Sequence, residues 1–217
     1  MTTNVGSVTC RSRVLPRLII IGMSLTAFSL GWLGGYDAYW PPDSEREEPT
    51  AGATIDAVVE RIIGVESDRD PNATNKRSSA TGLGQFLDET WLDMIRAHRP
   101  DLAKGRSQAE ILELRRDAKI AREITARFTQ QNAEMLRKRG LPVTPGTLYL
   151  AHFAGGAGAV AILSAIENAD AALVMATADA TGRTKREKII KANPFLERFT
   201  VADLRSWADR KMHVPGL

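Results

Sequence analysis

The chain has 217 residues, enough for one sizeable core; 43% are apolar and 25% charged, which excludes wholesale disorder. Its net charge of +3, from 29 basic and 26 acidic residues, is far below that of a tail-driven nucleic-acid binder, so no nucleic-acid partner is expected. Cys10 is the only cysteine, which excludes an intrachain disulfide, and three histidines leave little material for a zinc site.

In chain order, residues 1–17 form a basic segment with Arg11, Arg13 and Arg17. An apolar stretch follows, residues 18–36, and its first eighteen residues carry no charge. As a helix they rise about 27 Å, close to a bilayer core of about 30 Å. Basic residues before it and acidic residues after it orient the N-terminus inward, and Trp32, Tyr36, Tyr39 and Trp40 stand where an interfacial aromatic belt belongs. A cleaved signal peptide has the same charge order. A small-x-small cleavage site is hard to find before Tyr36, which favours an uncleaved anchor. A third reading makes the stretch a buried helix of a soluble core. Both leading readings export everything after residue 40. Residues 37–53 are Pro-rich and acidic and read as a linker.

Residues 54–217 read as one mostly α-helical domain. Thr54 can cap a helix whose apolar positions Ile55, Val58, Val59, Ile62 and Ile63 follow the helical period. Turn-formers and polar residues fill 67–82, predicting a long loop or small hairpin. Further helices are expected over 88–97, from the Ser107–Glu110 capping box, and over a longer pattern from Ile120 to Leu136 that ends at Gly140. Two apolar segments, 148–153 and 157–166, come next. A short alanine-rich helix within 169–180 and helices over 185–191 and 201–212 complete the domain.

Glu66 shares a helix face with Val58, Val59, Ile62 and Ile63, so a carboxyl lies in register with the apolar stripe. Partial burial there raises its pKa, as a general acid requires. The alternative is a carboxylate that turns outward or pairs with Arg61 or Arg69. Two other patterns are weaker. Asp68, Asp70 and Asn72 alternate like the start of a calcium loop, but Ala73 and Ser79 occupy the positions where that loop needs Gly and Glu. Gly156 to Ala161 loosely matches a dinucleotide fingerprint, yet no βαβ pattern surrounds it, and close helix packing explains its small residues better. No cofactor or metal is expected.

Taken in order, Glu66-Ser67, then Ala80-Thr-Gly-Leu-Gly-Gln85-Phe86, then Ala151-His-Phe-Ala-Gly155 form a recognisable set. The set resembles the soluble lytic transglycosylase (SLT) family, glycoside hydrolases with a goose-lysozyme-like helical fold. That family has Glu-Ser at a helix end, then Gly-Leu-Met-Gln, then Ala-Tyr-Asn-Ala-Gly. The resemblance covers roughly residues 55–168. It implies that Glu66 is the catalytic acid/base, with Ser67 beside it and Gln85 lining the saccharide groove. It also gives His152 and Phe153 the positions of the family's Tyr and Asn on the substrate side. The family tyrosine orients the catalytic Glu, and a histidine can do so through a ring nitrogen. Phe153 cannot make the asparagine's hydrogen bonds, and Gly84 replaces the motif's methionine. The Ala-His-Phe form is similar to a divergent branch found in some bacterial envelope proteins and secretion-associated hydrolases.

With the apolar stretch 18–36 taken as an inner-membrane anchor, the resemblance implies an enzyme whose periplasmic domain, residues 54–217, cleaves peptidoglycan glycan strands between N-acetylmuramic acid and N-acetylglucosamine. The product would carry a 1,6-anhydromuramyl end. The residue pattern agrees with a one-acid mechanism. Two-carboxylate glycosidases place their acids about 5–5.5 Å or about 6.5–9.5 Å apart. Between Asp70 and Asp88 this chain has no acidic residue. Two alternatives stay open: a lysozyme-type muramidase recruiting Asp68, Asp70 or Asp88, and a non-catalytic peptidoglycan-binding component that partners envelope secretion-system proteins.

Overall fold

The computed structural model describes residues 55–213. The expectations for 1–17, 18–36, 37–53 and the Thr54 cap lie outside the described residues. Within them the chain is mostly α-helical and contains no strand.

Helix α1, Ile55–Ser67, lies between two apolar clusters. Val58 and Ile62, one turn apart, belong to the larger cluster. Val59 and Ile63, the next positions round the helix, belong to the smaller. All four are buried, each contributing about 1.5–3 kcal/mol of apolar burial. Glu66 therefore ends a helix that is fixed from both sides.

The smaller cluster joins α1 to α2 (Asp88–His98) and to the first half of α5 (Ala118–Lys138). Between them run α3 (Pro100–Ala103), α4 (Gln108–Glu113) and a 3-10 turn, Leu114–Arg116. The Ser107 capping box forms as expected: Glu110 N donates to Ser107 Oγ at 3.3 Å and Ser107 N donates to Glu110 Oε2 at 2.8 Å. Helix α5 closes at Gly140 in a Schellman arrangement, with Leu141 N donating to Leu136 O and Gly140 N to Arg137 O.

The larger cluster is built on α6, Pro145–Ser164. The sequence predicts two segments here. The structure joins them through a kink at Gly155, whose φ of 72° and ψ of 163° are open in practice only to glycine. Among the described residues α6 is the one helix long and apolar enough to cross a membrane, but most of it is buried inside the domain. It packs against α1, α5, α7 (Ala171–Thr177) and α9 (Val201–Met212). Helix α8 (Arg186–Ala192) and a 3-10 turn, Pro194–Arg198, complete this side. The short elements at 100–103, 114–116 and 194–198 are too brief to leave a periodic signal in sequence.

Residues 68–87 form the expected small hairpin-like lobe, held by isolated bridges between Thr74 and Thr81 and between Thr81 and Phe86. The chain enters it through two left-handed residues, Asp68 (φ 54°) and Arg69 (φ 63°). Arg115 fastens the lobe: its guanidinium donates to Ser79 O at 2.9 Å, Phe86 O at 3.0 Å and Asp88 Oδ1 at 2.7 Å.

Candidate active site

The last turn of α1 places Glu66 at the junction of the two clusters, 1% exposed. Burial pushes its pKa up to about 8, opposed by the Tyr149 hydroxyl and by the Lys211 charge. The carboxyl is thus protonated at neutral pH. The Tyr149 hydroxyl is close enough to influence it, although neither group closes a hydrogen bond. Burial and the neighbouring Glu66 raise the Tyr149 pKa in turn. Desolvation lowers that of Lys211, against the attraction of Glu66.

Lys211 comes to the site because α9 is tied to α1. Arg61 Nε donates to Lys211 O at 2.8 Å and Arg61 Nη2 to His213 O at 3.2 Å. Trp207, one turn earlier on α9, packs against Tyr149 with centroids 5.4 Å apart. The arrangement can hold a proton at neutral pH and stabilise the carboxylate left after its donation, through one cation and one hydroxyl.

The other expected site residues turn inward. Ser67 donates its hydroxyl to Ile63 O at 3.1 Å, within its own helix. Gln85, at φ 50°, is fully buried and donates to Ala73 O at 3.1 Å and Gly82 O at 2.9 Å. It stitches the lobe together and does not line a groove as expected. His152 is buried, with Nε2 2.9 Å from Gly84 O and its ring edge-on to Phe86 and Phe128. Burial lowers its pKa to about 4, opposed by the Gly84 contact, so the ring is neutral and Nε2 carries the donated proton. The expected orienting role toward Glu66 is corrected: the hydroxyl that acts on Glu66 is that of Tyr149, one turn earlier on α6. Phe153 is also corrected. It has no exposed surface and packs on Trp207 at 5.0 Å and Phe195 at 6.1 Å, so it is a core residue without a substrate contact.

The space around Gly84 is closed to a larger side chain. A Cβ there would come within 2.7 Å of both the Phe86 ring and Thr125 Oγ1. The Phe86, Phe128 and His152 rings fill the space instead, and Gly84 offers its carbonyl to His152.

The three carboxylates weighed as partners for Glu66 are engaged elsewhere or exposed. Asp88 is bound to Arg115, Asp70 Oδ1 accepts from Asn72 N at 2.8 Å, and Asp68 is exposed on the left-handed turn. Among the described residues no group of three His, Cys, Asp or Glu side chains could hold a metal ion. Tyr149 and Lys211 are the residues sequence reading missed. Tyr149 had a weak signal, since it lies three residues before His152 and shares its helix face. Lys211 had none, because only tertiary contact brings α9 to α1.

No protein-family model matches the chain, and a search of curated proteins returns no match.

Proposed function

We propose that the chain is a peptidoglycan lytic transglycosylase of goose-lysozyme-like fold, with Glu66 as its single acid/base. The observation that carries this reading is a buried carboxyl with a pKa of about 8, served by a cation and a phenol and, among the described residues, by no second acid. Protonated Glu66 donates to the glycosidic oxygen. The resulting carboxylate, stabilised by Lys211 and the Tyr149 hydroxyl, takes the proton of the sugar's own 6-hydroxyl. That hydroxyl closes on the anomeric carbon, an intramolecular attack that gains effective molarity and needs no activated water. Asp88, already bound to Arg115, makes a two-carboxylate muramidase the weaker reading. Because Glu66 is sealed, binding of the glycan must open the site.

The apolar stretch 18–36 behind three arginines supports an inner-membrane anchor with a periplasmic domain. A cleaved signal peptide would deliver the same domain to the same compartment. A second reading, a non-catalytic glycan-binding component of an envelope secretion machine, is favoured by the inward packing of Gln85, His152 and Phe153. Turnover of purified sacculi separates the two. Glu66→Gln should lower it by about two to four orders of magnitude with the fold intact. Equal activity of the variant, or none in either protein, would contradict the enzymatic reading.

A further inference from the structure

A cleft of about 1030 Å³ lies between the 68–87 lobe and α8, and Glu66 is not among its lining residues. Four cations border it: Lys76 and Arg77 on the lobe, Lys188 and Lys191 on α8. Lys188 and Lys191 stand three residues apart, so one face of α8 presents both charges. None of the four forms an ion pair with a described residue. Two acidic residues share the cleft. Asp88 is already neutralised by Arg115, which leaves Glu89 against the four cations. Like charges gathered from two separate elements repel, and an anion between them relieves that repulsion.

The rest of the lining narrows the anion. Leu87, Ala192 and Pro194 give the cleft an apolar strip beside the cations, with buried Ile189 beneath it. Among the described residues no aromatic side chain lines it, so these walls offer nucleobases no stacking platform. The volume is far larger than one phosphate requires. Spaced carboxylates together with aliphatic side chains match the cations and the strip at once. We infer that this cleft binds an acidic peptide bearing alkyl side chains. For the source of that peptide the inference rests on the glycan reading: the peptide is the one carried on muramic residues of the strand. The lobe that carries Lys76 and Arg77 follows α1, the helix that carries Glu66.

The test compares binding of the full-length chain to soluble glycan strands bearing their peptides and to the same strands stripped by an amidase. Two double variants, Lys76→Glu/Arg77→Glu and Lys188→Glu/Lys191→Glu, are measured alongside, with far-UV circular dichroism as the folding control. Peptide-bearing strands should bind roughly tenfold tighter than stripped ones at moderate salt, and each double variant should abolish that difference while leaving stripped-strand binding unchanged. Equal binding of the two strands, or a difference that survives both variants, overturns the inference. So does an oligodeoxynucleotide that competes as well as the peptide-bearing strand, because that marks a general polyanion surface. Cleavage is scored separately on the stripped strand. If it is cut but the peptide has no effect, the peptide site falls and the enzymatic reading stands. If the peptide effect holds and neither strand is cut, the enzymatic reading falls and the site stands.

Discussion

The Tyr149 hydroxyl faces the Glu66 carboxyl across the junction of α6 and α1 and lowers a pKa that burial alone would push higher still. The pair joins a group that must hold a proton to one that favours its loss. A buried acid with no such neighbour would give up its proton less readily.

Tyr149→Phe removes that neighbour and little else, since the hydroxyl closes no hydrogen bond. The Glu66 pKa should rise, moving the corresponding limb of the pH–rate profile to higher pH, and turnover should fall by about one to two orders of magnitude. An unchanged profile would remove Tyr149 from the mechanism.

Glu66 also sets a pH dependence of stability. Its pKa is about 8 in the folded chain against 4.5 for an ordinary carboxyl. Between those values the unfolded chain has released the proton and the folded chain has kept it. Stability therefore falls as pH rises through this window, by up to about 1.4 kcal/mol per pH unit, and levels off above it. Glu66→Gln lacks the effect, so its melting temperature should gain on the wild type steadily from the lower value to the upper. Parallel melting curves across the window would contradict the burial of the carboxyl.

His152 works in the opposite direction. Its pKa falls from 6.5 to about 4 on folding, so the unfolded chain binds the proton first on acidification. The stability present above pH 6.5 is lost as pH falls toward 4. His152→Gln should remove this acid sensitivity. His152→Ala should cost about 2–4 kcal/mol, because it opens a cavity between Phe86 and Phe128 and strands the Gly84 carbonyl. Denaturant titration of both variants checks this; wild-type stability of the alanine variant would show that the ring is not part of the core.

Local signals carried much of the fold. The α1 face that sets Glu66 against Val58, Val59, Ile62 and Ile63, the Ser107 capping box and the close of α5 at Gly140 each follow from residues within one or two turns of one another. The site was only half legible. Tyr149, His152 and Phe153 share one face of α6, and periodicity cannot say which of them meets α1. The docking of α9 decides it: Trp207 packs against both Tyr149 and Phe153, and Arg61 draws the end of α9 onto α1. Gln85 looked like a groove residue because its motif resembles one. Its left-handed backbone and inward amide depend on a loop anchored by Arg115, thirty residues further along the chain.

If Glu66 acts without a second carboxylate, as proposed, the attacking group is the sugar's own hydroxyl. Mass spectrometry of the products from purified sacculi tests it most directly. Muropeptides ending in 1,6-anhydromuramic acid are expected, about 18 mass units lighter than hydrolytic products because no water is added. Predominantly reducing-end products would contradict it, since an attacking water needs a second base, and among the described residues none is seen to act on Glu66.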